Sequence, residues 1–373
     1  MTPMHTLPTT IQSRVQRALR SQLVERLTTP HGIDRYLEAF NPSWSVFETR
    51  ARVTAVRRQT EDTVTLTLQP NANWQGFKAG QYVRLSARID GKRTTRCFSP
   101  ANSVHAVDGQ IELTAKINPD GVLTRYLRDH AAPGMVVTLS EADGSFALPE
   151  QRPERILLIS GGSGITPVMS MLRTLCDEGY EGQITFLHYA NSAGGQIYAD
   201  ALRAIADQHD NVELLRAYAD GEGGELSGLF SHEQLAAAVP DYAEAETFLC
   251  GPPGLMDRVE ATWKAEGLAD RLHMERFTAA PMALPEDSGA EGEVRFLKSE
   301  RLATNDGDTL LNQAEAAGLR PDSGCRMGIC HACTCVKTAG RVRDLRNGAI
   351  SDAGEEEIQL CVSVPVGTVA LDL

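Results

Sequence analysis

Four of the chain's eight cysteines fall between positions 325 and 335, in the stretch SGCRMGICHACTCV. Thiols crowded into one short loop mean a disulfide knot, a bound metal or a redox group, and the compartment separates these. The N-terminus, MTPMHTLPTTIQSRVQRALRSQ, has no apolar run of signal-peptide length. No stretch approaches the roughly 20 apolar residues of a membrane span. Eight cysteines in 373 residues are too sparse for a secreted disulfide scaffold. A cytoplasmic protein is therefore expected, and in a reducing cytosol clustered cysteines bind metal or do redox work. The formal net charge of −13 argues against nucleic acid as a partner, because such a surface would be basic.

Cys325, Cys330 and Cys333 form C-x4-C-x2-C, the spacing of a plant-type [2Fe-2S] site, which needs one more distant cysteine. Cys361 is the only candidate downstream. A tight turn offers three thiolates and a strand closes the site. Ser323, Gly324, Arg326 and Gly328 suit the turn, since small residues let backbone N–H groups approach the cluster sulfides. Zinc is the competing ligand, but it normally shows two short C-x2-C pairs and Cys361 stands alone. Cys335 reads as a small buried side chain beside the site. Residues 292–373 resemble plant-type ferredoxins throughout, and the resemblance implies a β-grasp (α+β) fold.

An iron–sulfur site handles single electrons, so an electron source is expected upstream. RILLISGGSGITPVMSMLRTL (155–175) is an apolar run, a glycine-rich turn and an amphipathic helix. Gly161, Gly162 and Gly164 would let backbone approach a pyrophosphate, and a helix N-terminus offers N–H groups to an anion. An ordinary strand-to-helix turn would read the same way. QITFLHYANS, NVELLRAYAD and ETFLCGPPGLMDRVEATWKAEG add strands alternating with helices, which indicates a doubly wound α/β sheet. Cys250 ends one of those strands, where such sheets bind ligands; a buried small residue is the plain alternative.

Further upstream, VTLTLQP, GQYVRLSARI and QIELTAKI alternate with period two between glycines and prolines, the pattern of a small antiparallel β-barrel. Arg96-x-Phe98-Ser99, the G-G-S-G-I-T-P loop and Cys250-Gly-Pro-Pro together resemble the ferredoxin–NADP reductase superfamily, over residues 47 to 373. The family's flavin motif has tyrosine where Phe98 stands, so the stacking face is kept and the phenol hydroxyl lost. The resemblance implies FAD, with Arg96 on the flavin phosphate, Phe98 stacked on the ring and Ser99 near N5. It also places backbone groups of Lys116, Val122 and Thr124 on the phosphate, within a second motif that begins at Gly121. Gly162, Gly164 and Thr166 would line the nicotinamide nucleotide, with Cys250 beside its ring. Phe277 would cover the flavin's other face or serve as a core residue of a terminal strand.

The expected organisation is multidomain: an N-terminal helical extension (1–46), an FAD-binding β-barrel (47–150), an NAD(P)-binding domain (151–277), a linker (278–291) and a [2Fe-2S] ferredoxin domain (292–373). In the extension, Ile11, Val15, Leu19, Leu23 and Leu27 share one helical face, with Arg14, Arg17, Arg20 and Arg26 mostly off it. Such a helix packs on its own barrel or lies peripherally on a membrane. Asn191, Ser192 and Arg216, with no acid before Asp200, favour NADPH over NADH. The implied function is electron transfer from NAD(P)H through FAD and the [2Fe-2S] cluster to an oxygenase, by a monomer. The lead-in PHGIDRYLEAFNPSWS resembles reductases of membrane-bound di-iron fatty-acyl desaturases, and the resemblance makes such a desaturase the expected acceptor. Reductases of ring-hydroxylating or other di-iron oxygenases, and a flavin/iron–sulfur redox sensor, are the alternatives.

Overall fold

The structure is a computed structural model that describes residue 28 and residues 32–119, 121–277 and 291–373, apart from 325, 327, 329 and 330. The helical face Ile11–Leu27, Cys325, Cys330 and almost all of the linker lie outside the described residues. The described chain forms two compact units. One joins the residues up to Ala87 with Phe98–Phe277; the other joins Arg88–Cys97 with the residues from 291 onward.

A short helix, α1 (Ile33–Phe40), precedes the first sheet and has no buried residue. Polar contacts hold it there. Asp34 accepts from Ser45 Oγ at 2.5 Å and from the Val46 amide at 2.7 Å. Arg52 donates to Asn41 at 2.8 Å. These contacts tie the segment to the lead-in of the first sheet and to Arg52 in that sheet's first strand.

The first sheet comprises β1 (Thr49–Thr60), β2 (Thr63–Pro70), β3 (Val83–Ile89), β4 (Lys92–Phe98), β5 (Ile111–Lys116) and β6 (Val136–Leu139), in the order β4-β3-β6-β1-β2-β5. Alternate residues such as Ala51 and Val53, Leu66 and Leu68, or Ile111 and Leu113 point inward and are buried, as period-two patterning requires. A bridge between Pro100 and Leu113 brings the chain after β4 back to β5. Helix α2 (Val122–His130) follows β5 and buries Leu123 and Leu127.

The second sheet is all parallel. Its strands are β7 (Arg155–Gly161), β8 (Gln183–Ala190), β9 (Val212–Tyr218), β10 (Leu226–Ser227), β11 (Glu246–Cys250) and β12 (Leu272–Glu275), in the order β10-β9-β8-β7-β11-β12. Helices α3 (Ile165–Asp177), α4 (Ala199–Gln208), α5 (His232–Ala238) and α6 (Pro253–Ala265) connect them. Neighbouring residues face opposite layers. Ile156, Leu158, Phe186 and Phe248 pack with α3 and α4, while Leu157, Ile159, Leu187 and Leu249 pack with α5 and α6. Sheets buried on both faces need continuous apolar strands, which RILLIS supplies. The order reverses at β7, so β8 and β11 flank it and a crevice opens at their carboxyl ends.

The third sheet holds β13 (Glu293–Phe296), β14 (Arg301–Thr304), β15 (Thr334–Asp344), β16 (Glu356–Gln359) and β17 (Ser363–Leu371), in the order β14-β13-β17-β15-β16. Only β13 and β17 pair in parallel, and helix α7 (Leu310–Ala316) buries Leu310, Leu311 and Ala314 on the sheet. This is the β-grasp arrangement. Thr309 caps α7 by accepting from the Asn312 amide at 3.4 Å. Lys337 is fully buried, yet its ammonium is satisfied: Nζ donates to the carbonyls of Asp352 and Gly354.

Candidate functional site

In the first unit the glycine-rich turn, Cys250 and Ser99 come together at the carboxyl ends of β7, β11 and β12. The glycine-rich turn sits between β7 and α3, and its three glycines do different work. A Cβ on Gly164 would fall 2.3 Å from the Cys250 carbonyl oxygen, and one on Gly161 would fall 2.7 Å from the Pro252 ring. Those two glycines exist so that the turn can pack against the end of β11. Gly162 has φ +53° and nothing within 4 Å of a Cβ position, so it is the glycine whose backbone faces open space. Thr166 is buried and its hydroxyl donates to the Ser163 carbonyl at 3.2 Å.

Cys250 is fully buried, and its register partners are Ser160 on β7 and Glu275 on β12. Burial, with the Glu275 carboxyl next to it, pushes its thiol well above the usual range. It therefore stays protonated and acts as a small, uncharged neighbour of the site. Ser99 is buried just after β4, and its Oγ donates to Glu275 Oε2 at 3.5 Å. Desolvation raises the Glu275 carboxyl to about 7, against the opposing pull of the Ser99 hydrogen bond. Glu275 is the residue that the sequence reading missed. Its signal is a lone acid in the terminal segment HMERF, otherwise notable only for Phe277. Phe277 packs on the apolar cluster that contains Phe146 and Phe248, which is the core alternative for that ring.

Gly121 and Thr124 shape the start of α2. A Cβ on Gly121 would meet Thr124 Oγ1 at 2.6 Å, and that hydroxyl accepts from the Asn118 amide at 3.2 Å. Val122, the first helical residue, is 46% exposed, and Lys116 at the end of β5 pairs with Asp62 at 3.3 Å. Phe98 is half-buried beside Ser99. Arg96 belongs to the second unit, where its guanidinium donates to the carbonyls of Thr95 and Gly324. On β9, Arg216 is held by Glu225 through Nε–Oε2 at 3.0 Å and Nη2–Oε1 at 2.5 Å. That pair holds the Glu225 carboxyl below its usual range.

In the second unit, Cys333 and Cys361 are both buried, and the Cys361 amide donates to Cys333 Sγ at 3.4 Å. An N–H aimed at a sulfur stabilises a thiolate. Cys335 lies on β15 opposite Ile358, with its thiol pushed up mainly by burial. Two non-glycine residues of the loop, Arg326 (φ 58°) and His331 (φ 53°), hold left-handed backbone. Such strain is kept where a site demands the geometry.

The family comparisons follow the same three divisions. Residues 50–147 match the family described as oxidoreductase FAD-binding domain, 158–261 the oxidoreductase NAD-binding domain, and 297–366 the 2Fe-2S iron-sulfur cluster binding domain. An NADPH oxidoreductase from Mycobacterium tuberculosis is 36% identical over 360 residues, covering 95% of this chain and 92% of its own. The chain belongs to the ferredoxin–NADP reductase superfamily.

This superfamily member also carries a C-terminal ferredoxin domain, and it is an electron-transfer oxidoreductase using FAD, NAD(P)H and a [2Fe-2S] cluster. A glycine betaine monooxygenase reductase subunit from Pseudomonas aeruginosa is 31% identical over 319 residues, 79% of this chain and 87% of its own. The solved structure of a phthalate dioxygenase reductase shares the fold, with 22% identity and a TM-score of 0.61 over 88% of this chain and 98% of that one. The residues fit these groups. Gly162 exposes backbone at a helix N-terminus, as a pyrophosphate needs, and Cys333 with Cys361 supplies a buried sulfur donor pair. Among the described residues no helix is long and apolar enough to cross a membrane.

Proposed function

We propose that the protein is the cytoplasmic NADPH-dependent reductase component of an iron-containing oxygenase, with domains 47–150, 151–277 and 292–373 joined by the linker 278–291. The observation that carries this reading is Ser99 backed by Glu275 at the crevice where a nicotinamide nucleotide binds. A hydroxyl there orients a ring nitrogen, and a carboxyl with a pKa of about 7 holds or releases a proton near working pH. Bound FAD supplies the conversion of a hydride into single electrons. Cys325, Cys330, Cys333 and Cys361 hold the cluster that passes them out. Gly162 takes the pyrophosphate, Gly121, Val122 and Thr124 the flavin phosphate, and Phe98 the flavin ring.

Support for the oxygenase comes from the relatives. The Pseudomonas aeruginosa protein is named as a monooxygenase reductase subunit, and a Mycobacterium tuberculosis protein, 31% identical over 310 residues, as the ferredoxin reductase component of a 3-ketosteroid-9-alpha-monooxygenase. A membrane desaturase is the second reading. It rests on the resemblance of the lead-in PHGIDRYLEAFNPSWS alone, since none of the relatives above is named as a desaturase reductase. Reconstitution decides between them: NADPH oxidation should become coupled to substrate oxidation with the monooxygenase component and not with a desaturase. Cytochrome c reduction should be fast in steady state, since slow turnover would instead point to a redox sensor.

A further inference from the structure

Arg346 stands in the turn after β15, and several contacts hold it against the cysteine loop. Its Nη1 donates to the Gly328 carbonyl at 3.0 Å. Gly328 has φ +73°, and a Cβ there would stand 2.9 Å from both Arg346 Cδ and Val362 Cγ1. The arginine stem therefore lies directly on loop backbone. The adjacent Leu345 amide donates to the Val362 carbonyl at 2.8 Å, fastening the turn to the residue after Cys361. Arg346 thus touches Gly328, which lies between Cys325 and Cys330 in the chain, and its turn is fastened beside Cys361. Asp344 grips the guanidinium through Nε–Oδ1 at 3.0 Å and Nη2–Oδ2 at 2.6 Å.

We propose that Arg346, held by Asp344, is the fixed cation that sets the reduction potential of the cluster. The proposal rests on the four-cysteine ligand set above. Reduction adds one electron, delivered from the flavin and later passed to the acceptor, and no proton. Four thiolates already make the site negative, so a fixed positive charge stabilises the reduced form more than the oxidised one. The bond to Gly328 and the grip of Asp344 fix the position of that charge, on a side chain that is 43% exposed.

The test is a redox titration of the purified holoprotein, followed by the electron paramagnetic resonance signal of the reduced cluster. Arg346→Gln keeps a donor for Gly328 and removes the charge. It should disfavour reduction by about three- to tenfold, which is about 30 to 60 mV for one electron. Arg346→Lys keeps the charge but loses the two-point grip of Asp344, so its shift should be clearly smaller than that of Arg346→Gln. Asp344→Asn removes a neighbouring negative charge, leaves the Gly328 contact, and should shift the potential upward. An unchanged potential in Arg346→Gln with the signal intact, or equal shifts in the Gln and Lys variants, overturns the proposal. If Arg346→Gln fails to load a cluster, Asp344→Asn decides alone, and a potential that stays or falls sinks the idea. The ligand set is judged separately, by whether Cys361→Ser loses the signal.

Discussion

Ser99 Oγ lies 3.5 Å from Glu275 Oε2, joining a hydroxyl and a carboxyl that are 176 residues apart in the chain. Burial raises that carboxyl from its ordinary 4.5 to about 7. The folded flavin-free protein thus binds a proton between those values that the unfolded chain has released. Stability is greatest below about 4.5 with respect to this group, falls as pH rises, and levels off above about 7, a loss of about 3 kcal/mol. Urea unfolding at pH 5 and pH 8 should show this slope in wild type and a flatter one in Glu275→Gln.

The same pair should appear in kinetics. Hydride arrival brings negative charge to the flavin, and an ionised Glu275 opposes it, so flavin reduction should slow as pH rises through about 7. Ser99→Ala should slow the step about 100-fold while flavin binding weakens much less. Stopped-flow absorbance between pH 5 and 9 reads both. A Glu275→Gln profile with the wild-type inflection would remove the carboxyl from the explanation.

Gly162 and Gly164 should separate into ligand and packing effects. Gly164→Ala drives a methyl into the Cys250 carbonyl and should cost about 3 kcal/mol of stability. Gly162→Ala strains only its own backbone, about 1 kcal/mol, while raising the KM for nucleotide. Melting temperatures and steady-state kinetics of the two variants test the division.

Replacing Cys325, Cys330, Cys333 or Cys361 with serine should abolish the [2Fe-2S] visible spectrum and leave flavin reduction working. Cys335→Ser should keep the spectrum, because that thiol faces the core opposite Ile358. Loss with Cys335→Ser and retention with Cys361→Ser would exchange their roles.

Arg216 is already engaged by Glu225, so a 2′-phosphate must compete with that carboxylate. Glu225→Gln should free the guanidinium and raise the NADPH-to-NADH ratio of kcat/KM about tenfold, while Arg216→Gln should lower it by at least as much. Equal ratios in both variants and wild type would exclude Arg216 from nucleotide choice.

Features set by neighbours in the chain were legible in the sequence. Cysteines at 325, 330 and 333 carry the spacing of a cluster loop, and the 2Fe-2S family match over 297–366 agrees with that reading. RILLIS reads as a strand buried on both faces, and VTLTLQP as a strand of a small antiparallel sheet, because side-chain period follows backbone geometry. Approach between distant segments was decided by the tertiary structure. Gly164 reads as a pyrophosphate glycine until β11 comes within contact of it, and Glu275 reads as an ordinary strand-end acid until Ser99 and desolvation meet it. Arg216 reads as a phosphate receptor until Glu225 closes on it, and nothing in the sequence singles out Arg346 until Gly328 lies against it. Spacing determines which groups converge locally, whereas burial and long-range charge pairing depend on which surfaces the fold presses together, and they set the pKa values and potentials on which electron transfer runs.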